Sequence, residues 1–247
     1  MHPSSTRSFT ASPRRATLAA TWSAGVVLSF VVGLLLYQFA HQAVEDDARR
    51  RFDSVAQLAR ERVSAAIASY ARVVRGLAAL HTAGDGPLTR LRFHRYVATL
   101  DLPREFPALE AVSFIAHVPD AARDAFVASV RTDRSVDPAG NPGFDISPPG
   151  RRPSYEVITW VEPPNLPVTR LGVDIAINPK VAATVAQARD SGLIAASGHP
   201  VRIDYPKPRI VLGMREPLYL GGALPATVEE RRTRYFGSIG IAFRSRS

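Results

Sequence analysis

The sequence contains no cysteine, and among its 31 basic residues only Lys180 and Lys207 are lysines. The absence of cysteine excludes disulfide bonds, thiol catalysis and cysteine-ligated metal centres, and it is compatible with an oxidising compartment. The formal charge is +9, but the arginines are scattered and no aromatic motif is interleaved with them. This composition is more typical of biased codon usage than of a nucleic-acid-binding surface, so we expect no nucleic-acid partner.

The sequence also lacks the motifs of common catalytic sites. It has no HExxH, no GxSxG, no phosphate-binding loop and no dinucleotide fingerprint. The six histidines have no paired metal-ligand spacing, so we expect each to be a surface or core residue. Ser197 and His199 are close in sequence, but neighbours on a turn rarely meet in triad geometry. We therefore expect no enzymatic activity, metal or cofactor in this chain.

Residues 16–40 contain no charged side chain. At about 1.5 Å per residue, a helix of this length crosses a hydrocarbon core of roughly 30 Å. Arg7, Arg14 and Arg15 precede it, and basic residues favour the cytoplasmic side. The alternatives are a cleaved signal peptide and a buried core helix, but the segment is longer and more apolar than either usually is. We predict a span in the lipid of a bacterial inner membrane, with a periplasmic or extracellular domain after it.

Residues 41–87 are predicted to continue the span as one amphipathic helix, which ends at the Gly-Asp-Gly-Pro segment 84–87. Apolar residues recur in steps of three and four, with modest slippage from a heptad pattern. They are Val44, Ala48, Phe52, Val55, Ala59, Val63, Ala66, Tyr70, Val74, Leu77 and Leu80. The helix is either one side of an ordinary core or a stalk that also packs against a second protomer. The near-heptad spacing favours the stalk and predicts a homodimer.

The segment after the stalk predicts a helix at 88–100 and a strand at 111–118. A second helix is predicted at 121–131, with Asp120 as its N-cap. Residues 132–153 are rich in proline and glycine and show no apolar periodicity. We expect a long irregular loop there, which is either a binding loop or an insertion without function.

The second half of the sequence predicts several short strands and one covering helix. The helix covers 179–190, begins after Asn178 with proline at its first position, and ends at Gly192. The predicted strands are 155–161, 169–177, 193–196, 201–203, 209–214, 217–219 and 235–243. This order is typical of a small antiparallel sheet that cups a pocket.

Asp174 is a single carboxylate among the apolar residues of the predicted strand 169–177. If its side chain points inward, it needs hydrogen-bond donors, because a buried carboxylate without partners is costly. The donors are either protein N–H groups, which gives Asp174 a structural role, or groups of a bound ligand.

Four segments resemble signatures of the CHASE domain, the extracytoplasmic sensory module of plant cytokinin receptor kinases and of many bacterial sensor kinases and diguanylate cyclases. They are residues 106–131, 155–165, 171–192 and 212–219. In the first segment, Phe114 and Phe126 are among the residues that fit the family pattern. Ala111 stands where glycine is usual, and the proline of the second signature is missing near Val157. These departures leave the identity of the ligand open.

The resemblance implies an α+β fold in which an N-terminal transmembrane helix continues into a long stalk helix. Two small PAS-like antiparallel-sheet subdomains follow, with a ligand pocket in the membrane-distal one. The expected order is a cytoplasmic N-terminus at 1–15, the span at 16–40, the stalk at 41–87, the sensory domain at 88–225, and a C-terminal strand approaching a second span at 226–247.

The resemblance also implies a small-molecule ligand, either adenine-like or another small metabolite. Asp174 aligns with an aspartate that hydrogen-bonds the adenine-type ligand in cytokinin receptors. Tyr155, Trp160 and Leu212 are candidate pocket walls from their strand positions, and ordinary sheet core is the alternative for them. The expected function is the sensing domain of a membrane-bound receptor whose kinase or cyclase output is missing from this chain. The alternative is a membrane-tethered dimerisation or scaffold module without a ligand.

Overall fold

The computed structural model describes residues 13–84, 86–163, 171–198, 201–203 and 209–244. Most side chains of the predicted span 16–40 lie outside the described set, as do those of the segment 42–48. The chain divides into two compact units, residues 1–65 and residues 66–247. The second unit contains all of the β-strands.

One long helix, α1, covers Pro13–Thr82 without a break. This confirms the predicted continuity of a single helix across residue 40. Among the described residues, the stretch Arg49–Thr82 of α1 has the length and the apolar composition needed to cross a membrane. These two criteria are also met by core helices of soluble proteins. The shorter apolar stretch Leu28–Gln38 lies inside the predicted span. The assignment of 16–40 as a transmembrane anchor therefore stays a prediction.

The remaining helices are short. They are α2 (Arg90–Ala98), α3 (Leu102–Glu105), α4 (Arg123–Thr132), α5 (Pro179–Ser191) and α6 (Val228–Arg234). Helix α5 has the predicted ends. The Asn178 side chain accepts a hydrogen bond from the Lys180 backbone N–H at 3.0 Å, and Gly192 ends the helix with a φ of 72° that glycine adopts readily.

In the part of the chain that the structure describes, six strands form one antiparallel sheet. They are β1 (Leu109–Pro119), β2 (Ser154–Glu162), β3 (Ala195–Ala196), β4 (Val201–Ile203), β5 (Arg209–Tyr219) and β6 (Tyr235–Arg244). Their order is β2-β1-β6-β5-β3, and β4 also pairs with β5. The α+β class is confirmed, whereas two separate PAS-like subdomains are not, because all of these strands join one sheet. Strand β6 comes from the segment 226–247 and pairs with both β1 and β5.

One face of this sheet carries the main hydrophobic core. Its members include Val74 and Leu77 of α1, Val112 and Phe114 of β1, Val157 of β2, Met214 of β5, and Ile239 and Ile241 of β6. Since side chains alternate between the faces of a strand, the residues between these point to the opposite face. Burial of each such side chain contributes about 1.5–3 kcal/mol to stability, so this core fixes the positions of β1, β5 and β6.

The predicted N-cap at Asp120 is wrong. A 3-10 turn, Asp120–Ala122, precedes α4, and neither it nor α4 has a side-chain cap hydrogen bond. The carboxylate of Asp120 instead accepts a hydrogen bond of 2.7 Å from the Tyr155 hydroxyl. A buried hydroxyl needs a hydrogen-bond partner. The Tyr155 hydroxyl therefore bonds the Asp120 Oδ1 atom, which an N-cap would have offered to a backbone N–H group.

Two strand predictions also differ from the structure. Of the predicted strand 169–177, residues 169–170 lie outside the described residues, and the rest makes only single bridges before a 3-10 turn at Ile175–Ile177. The predicted strands 209–214 and 217–219 form the single strand β5. Pro217 pairs with Ser238 of β6 and lies beyond Arg215, where the pairing of β5 with β3 stops, and proline is tolerated at such an edge.

Candidate functional site

A cavity of about 140 Å³ lies between the sheet and helix α5. Strands β1, β2, β5 and β6 line one side, and α5 and the 3-10 turn at Ile175–Ile177 line the other. Its apolar lining includes Ile115, Ile158, Ile175, Val181 and Val211. An engineered apolar cavity of about 150 Å³ binds benzene, so this space has room for a body the size of one ring.

Small residues on β5 and β6 leave this space open. Gly213 of β5 pairs with Ala242 of β6, and both line the cavity. A Cβ atom added to Gly213 would meet no heavy atom within 4 Å. The cavity therefore exists partly because this position lacks a side chain.

Arg215 is the charged residue of the lining. Its Nη1 is completely buried and has no hydrogen-bond partner in the part of the chain that the structure describes. Burial lowers the pKa of Arg215, and the nearby Tyr235 and Glu156 offset this only partly. A buried polar atom without a partner costs free energy, so the unpaired Nη1 destabilises the fold.

Glu156 lies close enough to affect Arg215, but its oxygens are already engaged. His117 Nδ1 donates to Glu156 Oε1 over 2.8 Å, and the Tyr235 hydroxyl donates to Oε2 over 3.3 Å. Burial raises the pKa of Tyr235 well above its ordinary value, and the Glu156 charge raises it further. The phenol therefore stays neutral at physiological pH. Glu156 acts on Arg215 through the electrostatic attraction of its charge, without a hydrogen bond between the two side chains among the described contacts.

Asp174, a predicted ligand contact, is buried and fully engaged with protein donors. Its Oδ2 accepts from Arg152 Nε over 2.9 Å, and its Oδ1 accepts from the backbone N–H groups of Glu156 and Ala176, both over 3.0 Å. These bonds connect β2, the segment before it and the 3-10 turn. Asp174 does not line the cavity.

Tyr155 and Trp160, two predicted pocket walls, pack in the main core on the other face of the sheet. Tyr155 is completely buried, and the Trp160 ring stacks on Phe114 with the ring centroids 4.3 Å apart. Neither residue lines the cavity. Their neighbour Ile158 does line it, so β2 contributes to the cavity through a different side chain.

Leu212, the third predicted wall, is 40% exposed and pairs with Phe243 of β6. Val211 and Gly213, its two neighbours, line the cavity. Adjacent residues of a strand point to opposite faces of the sheet. The prediction therefore identified the correct strand, but Leu212 lies on the face opposite the cavity. The alternation of Val211, Gly213 and Arg215 along β5 was the sequence signal for the cavity face.

No group of three or more histidine, aspartate or glutamate side chains that could hold a metal ion occurs among the described residues. Side-chain hydroxyls at the cavity are also engaged. Ser113 Oγ donates to the Gly240 carbonyl over 3.3 Å, and Thr184 Oγ1 donates to the Lys180 carbonyl over 3.0 Å. The cavity therefore offers an apolar surface and one guanidinium as its main features.

The comparison with protein families gives one match over this part of the chain. The model of the CHASE domain family matches residues 87–247, which include the whole sheet and the cavity. A comparison with curated proteins found no match. CHASE domains are sensory extracellular domains of signalling receptors. The match covers more than half of the sequence and includes the signatures noted in residues 106–131 and 171–192. The chain therefore belongs to the CHASE domain family.

Proposed function

We propose that this chain is the ligand-binding sensor of a membrane-bound receptor and that a small metabolite occupies the cavity between the sheet and α5. The observation that carries the proposal is the cavity itself, a largely apolar space of about 140 Å³ with one guanidinium in its wall. Binding sites for small molecules are typically concave and apolar with a few polar groups that fix orientation. We propose binding, and no catalytic step, as the role of this site.

The cavity size limits the ligand. Pockets for drug-sized molecules measure roughly 300–1,000 Å³, so a space of about 140 Å³ favours a much smaller body. A metabolite with a body of about one ring fits this volume, and an adenine-like base, which has two fused rings, is at its upper limit. The proposal of a small metabolite therefore rests on volume and lining rather than on Asp174.

The sheet provides a physical route from the cavity to helix α1. Strands β1, β5 and β6 present residues such as Ile115 and Val211 to the cavity, and residues such as Phe114 and Ile239 to the core that contains Val74 of α1. A ligand that binds one arrangement of these strands more tightly shifts the population toward it. We propose that this shift changes the packing of α1 and so passes a signal across the membrane.

We propose that residues 16–40 anchor the chain in the inner membrane, with the CHASE domain on the periplasmic side. The family supports an extracellular position, and the uncharged segment with its preceding arginines supports the orientation. A kinase or cyclase would then supply the output on the cytoplasmic side, in a part of the receptor other than this chain.

We further propose that a second copy of the chain packs along α1. Phe52, Val55 and Val63 are 73%, 66% and 59% exposed, and with Ala59 they follow a near-heptad pattern. A helix face of this kind is stabilised by a partner helix with the same pattern. The same observation favours the second candidate function, a tethered dimerisation or scaffold module that works without a ligand.

Ligand screening by thermal unfolding separates the two functions. The full chain in detergent micelles is unfolded in the presence of a library of small metabolites, beside Gly213→Val and Gly143→Val. Gly213→Val places a side chain in the cavity, whereas Gly143 is an exposed glycine with open space around it and serves as the matched control. A ligand at 100 times its Kd stabilises the folded state by about 2.7 kcal/mol.

The sensor function predicts compounds that raise the unfolding temperature of the wild type and of Gly143→Val but not of Gly213→Val. A library without any such compound favours the scaffold function. Compounds that stabilise Gly213→Val as strongly as the wild type place the binding site outside the cavity.

A further inference from the structure

We propose that the ligand of this cavity is a small carboxylic acid whose carboxylate binds the guanidinium of Arg215 and whose apolar body fills the space beneath α5. This inference rests on the proposed function of the cavity and names the chemical class of its ligand. It concerns Arg215 alone and assigns no ligand contact to Asp174.

Arg215 is a partly buried arginine in the cavity lining. Arg152 is paired with Asp174 at 2.9 Å, whereas Arg215 Nη1 is fully buried and has no hydrogen-bond partner among the described residues. Glu216 Oε2, on the next residue of β5, is also buried without such a partner, but Glu216 does not line the cavity. Buried polar atoms in folded proteins are normally hydrogen-bonded, so an unpaired guanidinium nitrogen on a residue of the cavity lining favours a partner that comes from outside the chain.

Glu156 does not fill the role of that partner. Both of its carboxylate oxygens accept hydrogen bonds, from His117 and from Tyr235, and within the described side chains no ion pair joins it to Arg215. Its negative charge reduces the cost of burying the guanidinium. The N–H groups of Arg215 Nη1 therefore remain unpaired among the described residues, and a guanidinium presents its N–H groups in a planar fork.

The rest of the lining selects the body of the ligand. Ile115, Ile158, Val181 and Val211 are apolar, and the hydroxyls of Ser113 and Thr184 already donate to backbone carbonyls. Extra polar groups on a ligand would lose water here without finding partners. A single acidic group on a ring or a short branched chain matches both the guanidinium and the apolar wall.

Carboxylates suit Arg215 better than neutral acceptors do. A carboxylate offers two oxygens to the guanidinium fork and forms charge-assisted bonds, which are roughly twice as strong as neutral ones. The corresponding amide has the same shape but lacks the charge. The site should therefore distinguish an acid from its amide, and that difference is measurable.

The test is a calorimetric titration of the full chain in detergent micelles with benzoate, isovalerate and their two amides. The variants are Arg215→Met, which removes the charge, and Arg215→Lys, which keeps the charge but loses the planar fork. Arg104→Met is the matched control, because Arg104 is exposed on α3 away from the cavity. Cooperative unfolding of each variant establishes that it is folded.

We expect at least one acid to bind the wild type and Arg104→Met roughly 10- to 100-fold more tightly than its amide. Arg215→Met should lose this preference, and Arg215→Lys should keep part of it. If the amides bind as tightly as the acids, or if Arg215→Met retains the preference, the assignment of the carboxylate is overturned while the cavity keeps its binding function.

If none of the four probes binds the wild type, the carboxylic acid is likewise overturned as the ligand class. The metabolite screen with Gly213→Val then decides the binding function separately. A compound without an acidic group that binds in the cavity would keep the sensor and reject the acid, whereas a screen without any cavity ligand would reject both.

Discussion

Arg152 Nε donates a hydrogen bond of 2.9 Å to Oδ2 of Asp174, and the Asp174 side chain is almost completely buried. With the two backbone N–H groups that bond Oδ1, this pairing satisfies the carboxylate from within the protein. From the sequence, the hydrogen-bond donors to Asp174 were either protein N–H groups or groups of a ligand. The structure shows protein N–H groups as these donors.

Asp174→Ala should therefore reduce the stability of the fold. The substitution leaves Arg152 and two backbone N–H groups without their acceptor, which costs about 3 kcal/mol. Urea unfolding of the full chain measures this loss. The control is Asp53→Ala, an exposed position on α1, which should change stability by less than about 0.5 kcal/mol. A folded Asp174→Ala variant with unchanged stability would contradict the structural role.

Arg215→Met should increase the stability of the ligand-free chain. The buried Nη1 of Arg215 has no partner among the described residues, which is destabilising, and replacement of the arginine by an apolar side chain of similar length removes this cost. We expect a gain of about 1 kcal/mol in urea unfolding, against no change in Arg104→Met. A loss of more than about 1 kcal/mol would show that Arg215 makes stabilising contacts within the protein.

Gly213→Val and Gly240→Val form a matched pair at the cavity. The added Cβ meets no atom within 4 Å at Gly213, but at Gly240 it approaches Ile115 Cδ1 to 2.8 Å and Ser113 Oγ to 3.1 Å. We expect Gly213→Val to keep or slightly increase stability, since valine favours strands, and Gly240→Val to lose about 1–3 kcal/mol through overpacking. Urea unfolding of both variants is the measurement. Equal losses would contradict the open space at Gly213.

Asp190 should make the free energy of unfolding depend on pH. Arg232 contacts both of its oxygens and Arg189 contacts one, and these hydrogen bonds hold the pKa of Asp190 well below its ordinary value of 3.8. Because the folded-state pKa is lower than the unfolded one, the contribution is complete above the unfolded pKa and is lost as the pH falls toward the folded pKa.

The measurement compares urea unfolding of the wild type and Asp190→Asn at about pH 6 and about pH 3. The wild type should be more stable than the variant at the higher pH, and the difference should shrink at the lower pH. A difference that stays constant between the two values would contradict the ion pairs of Asp190 with Arg189 and Arg232.

A second copy along α1 gives a further prediction. Phe52→Glu with Val55→Glu introduces charges into the exposed apolar stripe and should dissociate the dimer, because like charges would face each other across the helix pair. Sedimentation in detergent micelles measures the mass. Gln57→Glu, an exposed change outside the stripe, should leave a dimer in place. A wild-type chain that is monomeric at every concentration would contradict the prediction.

Local chemistry in the sequence predicted the ends of helix α5, although the N-cap predicted at Asp120 is wrong. Asn178, Pro179 and Gly192 gave the limits of α5 because capping depends on residues within one turn. Helix α6 was missed although its signal was present, since Thr227 and Glu230 form a capping box. The sequence thus contained more local information than the prediction used.

The cavity could not be located from the sequence because its geometry is non-local. The step in register between Phe114 and Ile115 of β1 places Ile158 and Trp160 of β2 on opposite faces, although the two residues have the same parity. Arg215 of β5 pairs with Gly240 of β6 on one side and with Ala195 of β3 on the other, and these contacts join segments that are distant in the sequence. Strand positions were predictable, and the alternation of Val211, Gly213 and Arg215 was a signal for one face of β5, but the faces that β1, β2 and β6 turn toward the cavity depend on the pairing of the strands.

The most direct test of the sensor function is a titration of the full chain with the most stabilising metabolite from the screen, beside the same titration of Gly213→Val. We predict one binding site per protomer in the wild type and a loss of affinity of roughly 100-fold or more in the variant, because the added valine occupies the space of the ligand. The same affinity in both proteins would contradict the cavity as the site of sensing.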